Sequence, residues 1–156
     1  MGDRSHAFID IGGNLARDRI GEFARLLTDT FDFPLNARSF EDLILEASSE
    51  GLTLTFEEDN GAYGYVGIEK QLVDLGLSYD LRYDAGCEYA EGVERFRPGM
   101  PEPRGFPTSG GEVVVPSAIA RTVSDMISNG QLVEAMTLLG VSIGDDIPKL
   151  LPLRIV

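Results

Sequence analysis

Apolar side chains recur along this chain with two different periods, and the order of these periods limits the possible folds. From Leu77 to Asp84 apolar and polar residues alternate, which predicts a half-buried strand. From Leu15 to Phe31 apolar residues instead recur every three or four positions, which predicts an amphipathic helix. Segments of both kinds are found throughout the chain, so it must combine a sheet with helices.

The predicted elements follow the order strand, helix, helix, strand, helix, three strands and two helices. This order neither repeats a strand and helix unit nor consists of strands alone. It predicts an α+β fold, with a mainly antiparallel sheet of about four to five strands packed against about three to five helices. A split βαβ arrangement, as in ferredoxin-like folds, is one candidate topology for part of the chain.

The 156 residues are expected to form a single domain, 1–156, because a chain of this length can bury one core. Residues 97–111 contain four prolines and four glycines, which predicts a long flexible loop. Residues 147–156 contain two prolines and six Leu, Ile or Val residues. We expect this apolar C-terminal tail to dock on the core or on a partner.

Two turns are expected from local signals. His6 to Ile11 is predicted as a buried strand that Gly12 and Gly13 end, with Asn14 as the cap of the following helix. Residues 8–14 are similar over seven positions to the first phosphate loop of the actin-like ATPase family. In that family another strand and a much longer chain follow, so the context here favours a plain strand-to-helix turn. Residues 58–61 predict a second turn.

Cysteine and histidine are too scarce for the common catalytic and metal-binding patterns. Cys87 and His6 are the only residues of their types, which excludes an intrachain disulfide, a cysteine-based zinc site and a histidine-rich metal site. No sequence motif assigns a catalytic residue, a metal site or a cofactor. We therefore expect a protein that is not an enzyme.

The chain shows no export signal near its first residue, and its apolar stretches are much shorter than the ~20 residues that cross a bilayer. The single cysteine fits a reducing compartment. These features predict a cytoplasmic protein without a membrane partner.

Negative charge is concentrated in the middle third of the chain. The formal net charge is −13, and residues 39–94 hold 14 acidic residues against two basic ones. Residues 1–38 and 95–156 are close to neutral. A surface of this kind repels phosphate backbones, so direct binding of nucleic acid is disfavoured.

The same surface would attract the basic surface of a protein, including the groove of a nucleic-acid-binding complex. In size and charge the chain resembles small acidic inhibitors encoded by phages and mobile elements, such as anti-CRISPR and anti-restriction proteins. The candidate partner-binding residues are Glu57, Glu58, Asp59, Asp80, Asp84, Glu88, Glu91, Glu94, Arg95 and Arg97.

Three alternatives stay open at this point. The acidic residues can serve solubility alone. The chain can be a small enzyme or ligand-binding domain, with carboxylates in a pocket under the 97–111 loop. It can also form a homo-oligomer through the apolar tail at 147–156.

Overall fold

The computed structural model describes residues 4–32, 39–62 and 65–156. A 3₁₀ turn, Arg17–Arg19, precedes α1. The strands and helices are, in chain order, β1 (Arg4–Leu15), α1 (Ile20–Thr30), α2 (Phe40–Glu50), β2 (Leu54–Ala62), α3 (Glu69–Asp74), β3 (Ser78–Tyr83), β4 (Gly92–Phe96), β5 (Arg104–Ser109), β6 (Glu112–Val113), α4 (Ser117–Ser128), α5 (Leu132–Ile143) and β7 (Leu153–Ile155).

One sheet joins all seven described strands, in the order β2-β1-β3-β4-β5-β6, with β7 added beside the end of β1. All five pairings between neighbours in the order β2-β1-β3-β4-β5-β6 are antiparallel. Only the short pairing of β1 with β7 is parallel. The predicted α+β fold with a mainly antiparallel sheet is confirmed. The split βαβ arrangement is found in one part of the chain, β2-α3-β3, because β2 and β3 both pair antiparallel with β1, which lies between them.

The core lies between one face of this sheet and helices α1, α2 and α3. Ala7, Ile9 and Ile11 alternate along β1 and are fully buried, as strand geometry requires of one face. From the helices, Phe23, Leu27, Phe40, Ile44 and Leu72 pack onto them. The opposite face of the sheet therefore holds the alternate, more polar residues of the same strands.

Local signals place the ends of several helices correctly. The Ser39 hydroxyl accepts a hydrogen bond from the Asp42 backbone amide at 3.0 Å, so Ser39 is the N-cap of α2, as serine at this position of the sequence favours. Gly51 ends α2 and Gly76 follows α3, both with positive φ angles of 68° and 71°. Glycine is favoured at such positions because it has no Cβ.

Some predicted boundaries are wrong. β1 continues through Gly12 and Gly13 to Leu15, so these glycines do not form a turn, and Asn14 lies in the strand. A Cβ at Gly12 would overlap the Leu151 carbonyl oxygen, and the Gly13 amide approaches that oxygen at 3.2 Å. The glycines thus allow the C-terminal tail to lie directly against β1.

Residues 58–61 also extend a strand, β2, where a turn was expected. The segment 97–111 is not one long loop, since Arg104–Ser109 form β5. Its Phe106 is buried and its backbone pairs with β4. Backbone pairing therefore overrides the high proline and glycine content.

The C-terminal tail lies on the core through β7. Leu153 is fully buried, and its amide donates to the Leu52 carbonyl at 2.9 Å. The Ile155 amide donates to the Ser48 hydroxyl at 3.0 Å. Leu153 thus anchors the tail on the core, whereas Leu151 and Val156 are each 66% exposed.

Helices α4 and α5 form a hairpin that packs mainly against itself. No residue of α4 is buried, and in α5 only Ala135 is. None of the described helices is both long and apolar enough to cross a membrane.

Candidate functional site

Seven carboxylates lie on α2 and on β2, which is an edge strand of the sheet. Phe40 of α2 and Phe56 of β2 approach with ring centroids 6.0 Å apart, so the start of α2 lies near β2. Residues 39–62 contain no lysine or arginine. We call this region the acidic edge, and its members are Glu41, Asp42, Glu46, Glu50, Glu57, Glu58 and Asp59.

The only histidine joins the acidic edge from the neighbouring strand. In β1, His6 places Nε2 at 2.6 Å from Glu57 and Nδ1 at 2.8 Å from Asp59. The Asp59 side chain is 74% exposed and that of Glu57 is 55% exposed. This contact follows from strand register, which sequence reasoning about His6 alone does not reveal.

These three residues are close enough together to hold a metal ion. However, the two carboxylates approach opposite nitrogens of the same ring, and one metal ion cannot bind both nitrogens. A doubly protonated imidazole instead donates to both carboxylates in this geometry. The cluster therefore has the geometry of an ion bridge between β1 and β2.

Arg97 is buried at 7% exposure and serves the interior of the fold. Its guanidinium donates to the carbonyl oxygens of Tyr79, Phe96 and Pro148 at 2.8 to 2.9 Å. Nη2 also lies 2.8 Å from Asp80 Oδ1, an ion pair whose angle is poor for a hydrogen bond. Arg97 is therefore a structural residue, not the exposed partner contact that the sequence predicts, and Asp80 is its counter-ion.

Glu94 lies on the helix-covered face of the sheet, where its Oε1 accepts a hydrogen bond from the Tyr79 hydroxyl at 2.7 Å. Burial raises the pKa of Glu94 above its ordinary value. Burial and the nearby carboxylate also raise the pKa of Tyr79. This pair is inside the fold, so Glu94 is a poor candidate for a surface contact.

Glu91 holds the turn between β5 and β6. Its carboxylate accepts hydrogen bonds from the amides of Gly110 and Gly111 at 2.9 and 3.2 Å, and from the Thr108 hydroxyl at 3.0 Å. These donors, the Gly110 amide first, lower the pKa of Glu91. Glu91 therefore positions a turn, and both oxygens of its carboxylate are used in these hydrogen bonds.

We expect this turn to loosen in acid. Because the folded-state pKa of Glu91 is lowered, its contacts are complete above the unfolded-chain pKa and are lost as the pH falls through the folded-state pKa. Glu91→Ala should speed amide exchange at Gly110 and Gly111 several-fold at neutral pH and abolish the acid response there, as measured by NMR. Glu112→Ala, on the same hairpin, is the control, and equal effects of both variants would contradict this role.

The remaining predicted residues are exposed or partly exposed. Asp84 and Glu88 are exposed in the connection between β3 and β4. The Arg95 guanidinium lies over the Phe106 ring at 5.6 Å, and that of Arg104 lies over it at 5.2 Å. Of the ten predicted residues, Glu57, Glu58 and Asp59 lie together on β2, where His6 contacts Glu57 and Asp59. Asp80, Glu91, Glu94 and Arg97 also have partners within the fold.

Two shallow cavities lie near the predicted loop. One of about 310 Å³ is lined in part by Arg95, Arg97 and Lys149, and one of about 220 Å³ in part by Glu91 and Thr108. Ligand pockets usually measure about 300–1,000 Å³. The first cavity lies at the lower end of this range and the second below it, and their charged groups do not form a catalytic arrangement, so the enzyme alternative stays a prediction.

Comparison with known proteins found no related protein. No known protein family matches the sequence, no curated protein resembles it, and no solved structure resembles the fold at a significant level.

Proposed function

We propose that this protein is a non-enzymatic binding module whose acidic edge binds a basic surface of another protein. The proposal rests on one observation, which is that residues 39–62, comprising α2 and the edge strand β2, hold seven carboxylates and no lysine or arginine. A partner with a nucleic-acid-binding groove is the favoured class, since such grooves are basic. Occupation of the groove would make the protein an inhibitor of the kind found among phage-encoded proteins.

Electrostatics favour this use of the acidic edge. The four acidic residues of α2 are exposed on the helix, and Glu57 and Asp59 are exposed on the strand. Closely spaced charges of one sign produce a potential that steers a basic partner and speeds association. Binding of this kind weakens with added salt, because salt screens exposed charges.

The position of β2 supports selective binding. As an edge strand, β2 pairs with β1 on one side only among the described strands. An open edge can pair with a strand of any protein, and charged side chains oppose such pairing. The carboxylates therefore discourage self-aggregation at this edge while they attract a basic surface.

A charge-neutralised variant tests this proposal. Glu41→Gln, Glu46→Gln and Glu50→Gln together remove three exposed charges from α2 and keep similar shapes. We expect this triple variant to bind at least about tenfold more weakly at low salt to the protein that the wild type recovers from nuclease-treated lysate. Affinity would be measured with the purified partner at several salt concentrations.

The matched control removes three exposed carboxylates elsewhere, through Glu102→Gln, Asp125→Asn and Glu134→Gln. We expect the control to change affinity by less than about twofold, because exposed charges beyond a Debye length of ~10 Å are screened. Equal loss in both triple variants would show that only net charge matters. Binding that does not depend on salt would contradict the proposal.

A further inference from the structure

Helix α5 is apolar around most of its circumference and yet lies on the surface. Its sequence, Leu-Val-Glu-Ala-Met-Thr-Leu-Leu-Gly-Val-Ser-Ile, contains a single charged residue, Glu134. A helix of this composition is normally enclosed in a core. Here only Ala135 is buried, so α5 lacks the cover that its composition calls for.

Four of the five exposed large apolar residues of α5 lie on one side of the helix, and the fifth, the 41% exposed Val141, lies on the other side. Leu132, Val133, Met136 and Leu139 have exposed fractions of 57%, 75%, 66% and 36%. Their spacing of three and four residues places them on one stripe beside the buried Ala135. We call these four residues the α5 face, and the 52% exposed Ile127 at the end of α4 adds to the apolar surface of the hairpin.

We propose that the α5 face is a homodimer interface, on which α5 of a second copy packs about a two-fold axis. Such an interface must be complementary to itself, and the α5 face consists only of uncharged apolar side chains. With Ile127, the α5 face exposes five large apolar residues, which supply part of the ~800 Å² per partner that a standard interface buries. Flanking polar residues can supply the remainder as a rim.

The distribution of charge also favours the α5 face as the contact between two copies of the chain. Two copies of a chain with net charge −13 repel each other, most strongly where residues 39–94 carry 14 acidic residues against two basic ones. The hairpin residues 117–143 carry only Arg121, Asp125 and Glu134. Contact through the hairpin brings little like charge together and keeps both acidic edges away from the interface.

A membrane surface fits the α5 face less well. Helices that lie on membranes carry lysine and arginine on the polar face, which attract anionic lipids. Arg121 is the only basic residue of the hairpin, and the whole chain is strongly acidic. The observations therefore favour a second copy of the chain.

Sedimentation velocity of the full chain over a wide concentration range tests this inference. We expect a reversible wild-type dimer, and Met136→Glu should raise its dissociation constant at least about tenfold, because it buries a charge at the centre of the interface. Val141→Glu is the matched control, since Val141 is 41% exposed on the opposite side of the same helix, outside the α5 face. We expect this control to stay dimeric, and circular dichroism would confirm that both variants are folded.

Crosslinking gives an independent readout. In a Cys87→Ser background, Met136→Cys should form disulfide-linked dimers on mild oxidation, and Val141→Cys should form far fewer. A wild-type chain that stays monomeric at every concentration would overturn the inference, as would a dimer that Met136→Glu leaves unchanged. A monomer that sediments with phosphatidylserine vesicles would assign the face to a membrane instead. The dimer test does not involve the acidic edge, so its failure would leave the proposed function standing.

Discussion

Replacing Arg97 by methionine should lower the free energy of unfolding by about 3–5 kcal/mol, a typical cost of removing one partner from a buried ion pair. The change leaves Asp80 Oδ1 buried without its cation. It also removes the hydrogen bonds to three carbonyl oxygens, of Tyr79, Phe96 and Pro148, that join β3, β4 and the C-terminal tail. Urea denaturation followed by circular dichroism would measure the loss.

Arg95→Met is the matched control for Arg97→Met, because Arg95 lies two positions earlier and faces the Phe106 ring. We expect this variant to lose about 0.5–1 kcal/mol, as is typical of an exposed cation-π contact. A loss below about 1 kcal/mol in Arg97→Met would contradict the structural role of that residue.

Adding one methyl group at Gly12 should also destabilise the fold. In Gly12→Ala the new Cβ would overlap the Leu151 carbonyl oxygen, so the tail must shift away from β1. We expect a loss of about 1–3 kcal/mol, the usual cost of overpacking. Faster hydrogen exchange at the Leu153 and Val156 amides would show that the tail is released.

Gly105→Ala is the control for this substitution. Gly105 also lies in a strand, but a Cβ there would meet no atom within 4 Å. We expect stability to stay the same or to rise slightly, because alanine restricts the unfolded chain. Unchanged tail exchange in Gly12→Ala would contradict the contact between the tail and β1.

Elements with strong local signals could be predicted from the sequence, and elements formed by distant contacts could not. The cap at Ser39 and the alternation in β3 depend on residues a few positions apart. The course of β1 through Gly12 depends instead on Leu151, which lies 139 positions away. β5 has a proline and a glycine, and its pairing with β4 and β6 makes it a strand.

For the candidate site, too, the sequence predicted the local feature but not the contacts between distant residues. Sequence reasoning located the charge in residues 39–94, but it treated all the carboxylates there as surface groups. Glu91 and Glu94 instead accept hydrogen bonds within the fold. Arg97 gave no local sign of burial, because its partners come from β3, β4 and the tail.

The α5 face had a visible signal in the sequence. A helix with one charged residue in twelve predicts burial, and only the structure shows that its own chain leaves it exposed. The composition of α5 alone could therefore indicate a helix that needs other residues packed around it. The missing cover itself could be recognised only from the packing of α4 and α5.

We propose that the acidic edge binds the same basic surface of the partner that nucleic acid would otherwise occupy. The most direct measurement is competition, in which the purified partner binds a labelled nucleic acid and increasing amounts of this protein are added. We predict that the wild type displaces the nucleic acid, and that the triple variant at Glu41, Glu46 and Glu50 needs at least about tenfold more protein to do so. Binding of both ligands at once, without displacement, would contradict the account.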